Sequence, residues 1–336
     1  NIVAWSVGTT FLPDCIDDDD DDNNNSTLSH TWLVLEWTFF CILMQIGCNL
    51  HNDYADFVKG ADDDKRVGQA RATAKGWLSP STTARAAAIT LFGGFVVGMK
   101  FLTLMIVSDA PQWTIVSMLF IILSSIFNAF AYTGGPWPLG YLGLCSDFSL
   151  GYSGLGDLFV FLYFGLVATI VPSFIYLACS TTIVASQSRT GQDNSYSSMK
   201  LWQSMTDIMP YALQVSVLAV NIIVVNNLRD RHTDVSANKR TLAVRFGATF
   251  CRLEYGFMIG IAYGLVICEF LFDFINPTTI SSYWTLLPML SFPRACKEWI
   301  AIYNKEGGDL NPHVGGAAKV QFLFCILLAL SLRIPQ

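Results

Sequence analysis

Residues 86–107 read AAAITLFGGFVVGMKFLTLMIV and hold one charged side chain, Lys100. As an α-helix at 1.5 Å per residue this stretch is about 33 Å long, which matches the hydrocarbon core of a bilayer at ~30 Å. An open strand would leave backbone polar groups unpaired in lipid, so a helix is the expected form. The stretch therefore predicts a transmembrane helix.

Similar apolar runs recur along the whole chain. Its 336 residues are 52% hydrophobic and only 14% charged, whereas soluble domains usually carry about 25% charged residues. Together with a truncated first helix at residues 2–12, the runs predict an all-α polytopic membrane protein of nine transmembrane helices, with residues 1–336 as a single domain. The other predicted spans are residues 32–50, 86–107, 113–132, 155–179, 208–225, 257–274, 283–292 (with a possible extension at 299–303) and 320–332.

The basic residues are distributed as this topology requires. The loops that follow the even-numbered helices hold 16 of the 20 Lys and Arg residues, and such a bias predicts a cytoplasm-like face. The loop of residues 13–31 falls on the opposite face and contains the acidic run 17–22. We expect this loop to be a solvated, low-complexity segment.

Acidic and amide side chains cluster where predicted helices two and six end. In each cluster the spacing includes i, i+3 and i+7, which places the side chains on one helix face. Because both helices end on the same side of the membrane, the clusters are expected to converge. For each cluster alone, a solvated helix end is the alternative interpretation. The first cluster comprises Asn49, Asn52, Asp53 and Asp56, and the second comprises Asn227, Asp230 and Asp234.

The composition of these clusters points to a divalent cation and a phosphate-bearing ligand. Carboxylate and amide oxygens are the ligands that suit Mg²⁺, which is often bridged by substrate phosphates. Each cluster is followed by a basic loop, whose side chains can pair with phosphate oxygens. The candidate diphosphate-binding residues are Arg66, Arg71, Lys239 and Arg240.

Three stretches carry a resemblance to a known family. They are QIGCNLHNDYADFVKGADDDKRVGQARATAKGWLSP at 45–80, YTGGPWPL at 132–139 with GLGDLFVFLYFG at 154–165, and NNLRDRHTDVSANKRTLAVRFG at 226–247. In these stretches the sequence resembles the UbiA superfamily of intramembrane aromatic prenyltransferases. Within the superfamily it is most similar to the branch that acts on 1,4-dihydroxy-2-naphthoate in menaquinone and phylloquinone biosynthesis.

The resemblance implies a UbiA-like helical bundle and a specific reaction. A phytyl or polyprenyl group would move from an allylic prenyl diphosphate to 1,4-dihydroxy-2-naphthoate with loss of CO₂, and Mg²⁺ would be held between the two clusters. Asp53 and Asp230 would be catalytic through the metal. Tyr132 would stabilise the allylic cation with its ring or orient the acceptor with its hydroxyl; its alternative role is that of an interfacial tyrosine.

Several alternatives stay open from the sequence. The acceptor could be homogentisate or 4-hydroxybenzoate, and a multi-pass transporter is the alternative from another class. Residues 140–154 contain a near-repeat, which predicts an inserted or duplicated loop on the catalytic face. A plastid membrane is expected if the chain is eukaryotic, and a bacterial plasma membrane otherwise. Nucleic acid is not an expected partner.

Overall fold

The structure is a computed structural model and describes residues 1–11, 30–60, 67–133, 154–187, 193–236, 239–275 and 283–334. The acidic stretch at 12–29 and most of the predicted inserted loop, residues 140–153, lie outside the described residues. Residues 30 and 31, which were predicted to close the acidic loop, belong to a helix.

The described residues form nine helical segments in sequence, which we number α1 to α9. Helix α5 consists of three contiguous stretches, the second of which is π-helical. Short 3-10 helices, Tyr283–Ser291 and Gly307–Leu310, precede α8 and α9. The bounds are α1 Ile2–Phe11, α2 His30–Val58, α3 Pro80–Val107, α4 Gln112–Ala131, α5 Gly156–Phe159 with Val160–Val167 and Ala168–Gln187, α6 Asp193–Ser236, α7 Leu242–Ile275, α8 Phe292–Asn304 and α9 Asn311–Arg333.

The all-α polytopic architecture predicted from the sequence is confirmed, whereas nine full spans are not. Within the described residues, seven helices are long and apolar enough to cross a membrane: α2 to α7 and α9. Helix α1 has 10 residues and α8 has 13, and a span requires about 20. The 3-10 helix and α8 together cover the predicted segment 283–292 and its extension.

The predicted start of helix seven was wrong by about four turns. Helix α7 begins at Leu242, although the apolar run was predicted to begin at residue 257. Arg245, Arg252 and Glu254 lower the hydropathy of the first part of α7, which is helical on both sides of a kink at Gly247. Charged groups at the rim of a span can reach polar surroundings while their stems stay in the helix, so hydropathy alone places the start too late.

Local sequence signals explain where some helices begin or bend. Ser79 caps α3 by accepting a hydrogen bond from the Thr82 backbone N–H at 3.2 Å, and Pro80 occupies the first helical position. Both are favourable choices there. Gly247 has φ of 80° inside α7, a conformation that glycine adopts at little cost. The chain therefore bends at Gly247, close to the start of α7.

Contacts at the helix ends confirm that the basic loops share one face. The Lys59 amine after α2 donates to the Thr133 carbonyl after α4. The Asn311 amide at the start of α9 donates to the Val67 carbonyl at 2.9 Å. The Arg252 guanidinium, in α7, donates to the Lys305 carbonyl at 3.1 Å. We call this end of the bundle, where Lys59, Val67, Thr133, Arg252, Lys305 and Asn311 lie, the basic rim.

Candidate functional site

The two acidic clusters meet at this rim. The Lys239 Nζ atom lies 3.3 Å from Asp56 Oδ1 and 4.0 Å from Asp234 Oδ1. Asp56 belongs to the end of α2 and Asp234 to the end of α6. One ammonium group therefore joins the clusters, and the convergence expected from the topology is what the structure has.

Side chains of the first cluster differ in exposure. Asn52, Asp53 and Asp56 are buried, whereas Asn49 is exposed. Asp53 Oδ2 accepts a hydrogen bond from the Thr73 backbone N–H at 3.4 Å. Asp53 Oδ1 is buried and has no hydrogen-bond partner among the described residues. An ionised oxygen in that position is costly unless a cation or donor arrives to compensate it.

The second cluster contains a carboxylate that is already paired. The Arg229 guanidinium donates to both oxygens of Asp230, at 2.7 and 2.6 Å. Arg229 also donates to Asn226 Oδ1 at 2.8 Å and to Asn311 Oδ1 at 3.2 Å. Asn227 and Asp234 are buried. Asp230 could thus join a metal only after exchanging its bidentate arginine contact.

Of the predicted diphosphate-binding residues that the structure describes, Lys239 lies at this junction, and Arg71 and Arg240 belong to the segments that follow α2 and α6. The Arg71 guanidinium contacts the Asn49 carbonyl at 3.5 Å, and Arg240 is exposed on the loop before α7. Partial burial and nearby Lys239 lower the pKa of the Lys59 amine, against the opposing influence of Asp56. Arg66 lies outside the described residues.

The donor set can be tested against Mg²⁺. Among the described residues, no group of three His, Cys, Asp or Glu side chains is arranged to hold a metal ion. Mg²⁺ does not need such a cage, because it usually takes one or two protein carboxylates plus substrate phosphates. Asp53 with its unpaired oxygen and the two carboxylates around Lys239 fit this mode, and Asp230 fits it less well.

Below the rim, a cavity of about 90 Å³ opens between α2, α4 and α5. Tyr132 and Cys48 line its upper end, and the Asn52 amide contacts the Cys48 sulfur at 3.7 Å, which links the cavity to the first cluster. The Tyr132 hydroxyl, like other tyrosine hydroxyls, is protonated at neutral pH and can donate a hydrogen bond. Asn128 also lines the cavity, and its Nδ2 has no partner among the described residues.

Sequence reasoning overlooked two acids near the site. Asp157 in α5 and Glu254 in α7 each carry a buried carboxylate oxygen without a partner in the part of the chain that the structure describes. An ionisable residue inside an apolar span is itself a signal of function. This signal is present in the sequence, but the prediction considered only the acids that cluster at the ends of α2 and α6.

Comparisons with known proteins identify the family of the chain. Residues 24–306 match the UbiA prenyltransferase family. The chain is 29% identical over 299 residues to the 1,4-dihydroxy-2-naphthoate octaprenyltransferase of Haemophilus influenzae, covering 87% of this chain and 81% of that protein. It is 30% identical to the protein of that name from Escherichia coli, over 76% and 69% of the two chains. A UbiA prenyltransferase domain-containing protein 1 homolog of Drosophila melanogaster is 27% identical over 86% and 66%.

Proposed function

The chain belongs to the UbiA prenyltransferase family, and from this premise we propose that it transfers a prenyl group from an allylic prenyl diphosphate to 1,4-dihydroxy-2-naphthoate in quinone biosynthesis. The names of the bacterial relatives support this acceptor. The seven described helices that are long and apolar enough to cross a membrane support a reaction in a lipid bilayer.

The contact of Lys239 with Asp56 and Asp234 carries the proposal. It brings carboxylates from two remote helices around a single cationic centre, and the first of these clusters is linked to the apolar cavity by the contact between Asn52 and Cys48. A prenyl diphosphate has the matching form, with a polyanionic head and a long apolar tail. The head would bind at the rim through Lys239, Arg71 and Arg240, and the tail would enter the cavity.

Magnesium is the cofactor that we propose for the head group. Asp53, Asp56 and Asp234 would hold it together with the diphosphate, and it would neutralise charge on the leaving group. The other predicted metal ligands belong to the same two clusters: Asn49, Asn52, Asn227 and Asp230.

The reaction follows from the chemistry of these groups. The allylic C–O bond breaks, and diphosphate departs with its negative charge stabilised by Lys239 and the arginines. The naphthoate carbon that bears the carboxylate forms the new C–C bond, and its bond to the carboxylate then breaks to release CO₂. Tyr132 lies at the upper end of the cavity, where its ring can face the allylic cation and its hydroxyl can orient the acceptor. The apolar walls exclude water, which would otherwise quench the cation.

The experiment is a product assay in membranes or lipid nanodiscs. The protein is incubated with geranylgeranyl or phytyl diphosphate and 1,4-dihydroxy-2-naphthoate, with Mg²⁺ or with EDTA, and products are identified by mass spectrometry. We expect a decarboxylated prenyl naphthoquinol only when Mg²⁺ is present. Homogentisate and 4-hydroxybenzoate are run in parallel, and a product from one of them alone would replace the proposed acceptor.

Two finer points belong to the same proposal. A phytyl donor and a plastid membrane would fit phylloquinone synthesis, and a polyprenyl donor and a bacterial plasma membrane would fit menaquinone synthesis. The transporter alternative predicts uptake of substrate into proteoliposomes without any new covalent product, so the same mass spectra separate it from an enzyme.

A further inference from the structure

Trp37 is the α2 residue that lies furthest from the rim among those lining the cavity. The α2 wall of the cavity is formed by residues on one helix face, from Cys48 at the top through Met44 to Trp37. Trp37 lies three turns of helix below Cys48, a distance of about 17 Å along the axis. At that depth the indole meets Val167 and Ala168 of α5.

Trp37 is held rigidly in this place. Its side chain is fully buried, stacks on Phe40 with ring centroids 4.7 Å apart, and packs edge-on against Phe101 at 5.7 Å. The indole Nε1–H donates to the Ala168 carbonyl at 3.3 Å. A large aromatic ring fixed by packing on two sides and by a hydrogen bond cannot turn aside easily.

The sequence of α5 supplies the acceptor for that hydrogen bond. In an α-helix the Ala168 carbonyl would accept from the backbone N–H of residue 172. Residue 172 is Pro172, which has no N–H to donate. The carbonyl is therefore available to the Trp37 indole, at the point where the π-helical stretch of α5 ends. Such π-helical stretches are frequent at functional sites.

We propose that the Trp37 indole is the floor of the donor site and limits the length of prenyl tail that the protein accepts. This inference rests on the proposed function, since it assumes that a prenyl diphosphate binds with its head at the basic rim. A tail that runs down the α2 face from the rim meets the indole after about 17 Å. Longer tails must bend or displace it, which disfavours them.

The test compares donors of increasing length, from farnesyl through geranylgeranyl to solanesyl diphosphate. Replacing Trp37→Ala removes the floor. We expect the ratio of kcat/KM for solanesyl over geranylgeranyl diphosphate to rise by roughly tenfold or more, the scale on which hydrophobic pockets discriminate chain length. Met44 lines the cavity halfway down, and its methyl group packs against Gly94 of α3. Because α3 leaves no room on that side, the larger side chain of Met44→Trp should occupy the cavity and shift preference the other way, toward farnesyl diphosphate.

Two further variants make the result specific to the floor. Trp32→Ala lies on the same helix but its side chain is 67% exposed, so the length preference should not change. Pro172→Ala restores an N–H that competes for the Ala168 carbonyl, and we expect a smaller shift in the same direction as Trp37→Ala. If Trp37→Ala fails to fold, Met44→Trp and Pro172→Ala still decide the matter.

The length preference is also read without catalysis. Non-reactive prenyl thiolodiphosphates should raise the Tm of the native protein most for short tails, and of Trp37→Ala for long tails as well. A wrong acceptor would abolish product with every donor and leave this binding series intact. Unchanged length profiles in Trp37→Ala, Met44→Trp and Pro172→Ala would overturn the proposal and indicate that the tail leaves sideways into lipid.

Discussion

At the scale of single residues, the site is organised around Lys239. Its ammonium group is mostly buried between Asp56 and Asp234, and buried carboxylates without a cation are strongly unfavourable. Lysine is a compact point charge on a flexible stem, so it can shift from the carboxylates to an arriving diphosphate. On the proposed function, Lys239 would therefore pair with the carboxylates in the free protein and with the diphosphate in the complex.

Lys239→Ala should chiefly weaken donor binding. We expect the KM for prenyl diphosphate to rise at least about tenfold, on the scale of losing one partner of a buried charge pair, with a smaller change in kcat. Steady-state kinetics at saturating acceptor measure both. Lys239→Arg retains the charge and should recover much of the affinity, and an unchanged KM in the alanine variant would contradict the assignment.

Asp53→Asn tests the metal assignment without changing shape. The buried Oδ1 of Asp53 is unpaired among the described residues, and an amide at that place removes the charge that would hold Mg²⁺. Product formation should fall by about 10² or more, and the Mg²⁺ concentration for half-maximal activity should rise. Asp207→Asn, at an exposed position on α6, is the matched control. Full activity of Asp53→Asn at low Mg²⁺ would refute the role.

At the scale of elements, α5 is the helix in which sequence and packing are most closely linked. Its π-helical stretch, Val160–Val167, lines the cavity on one side, and Gly165 within it contacts α6 on the other. A Cβ atom at Gly165 would lie 2.3 Å from the Ser216 Cα atom. Small residues permit this close approach of helix backbones in membranes. The lack of a side chain at Gly165 therefore allows α5 to pack directly against α6.

Gly165→Ala should therefore destabilise the bundle. The added methyl group meets backbone and cannot be accommodated by a side-chain movement, so we expect a loss of about 1–3 kcal/mol and a lower Tm in detergent. Gly264→Ala on α7 is the matched control, because nothing lies within 4 Å of a Cβ atom there. Its Tm should be unchanged or slightly higher, given the greater helix propensity of alanine. Equal Tm values for the two variants would contradict close packing at Gly165.

Predictability from sequence differs between elements for physical reasons. Apolar runs and basic loops are enough to place most helices, because lipid requires both. The start of α7 was missed because charged residues, Arg252 and Glu254, follow the kink at Gly247 and lie within the helix. The convergence of Asp56 and Asp234 could be predicted, because both lie at the ends of even-numbered predicted helices and hence on the same side of the membrane. The pairing of Asp230 with Arg229 did not, because side-chain partners at a rim depend on tertiary placement.

At the scale of the whole molecule, the bundle has two unlike faces. The ends of α2 and α6 and the start of α9 meet at the basic rim. The connection from α3 to α4, residues 108–111, lies at the other end of α3. On the proposed function, the charged head of the prenyl diphosphate would therefore bind at the rim side of the bundle.

Cysteine labelling tests this sidedness. Lys75→Cys in the loop after α2 and Gln112→Cys at the start of α4 are both exposed positions. In sealed vesicles, a membrane-impermeant maleimide should label one of them from outside and the other only after permeabilisation. The native protein supplies the background from its own cysteines. Labelling of both new cysteines from the same side would contradict the topology.

Asn311 occupies a position with little freedom to vary. Its side-chain oxygen accepts from Arg229, which holds Asp230, while its side-chain nitrogen donates to the Val67 carbonyl beyond the first cluster. The carboxamide offers an acceptor oxygen and a donor nitrogen on the same planar group. An aspartate would keep the guanidinium contact and lose the carbonyl, and a lysine would do the reverse. The Asn311 carboxamide therefore links α6 and α9 to the segment that follows α2, although Asn311 belongs to neither acidic cluster.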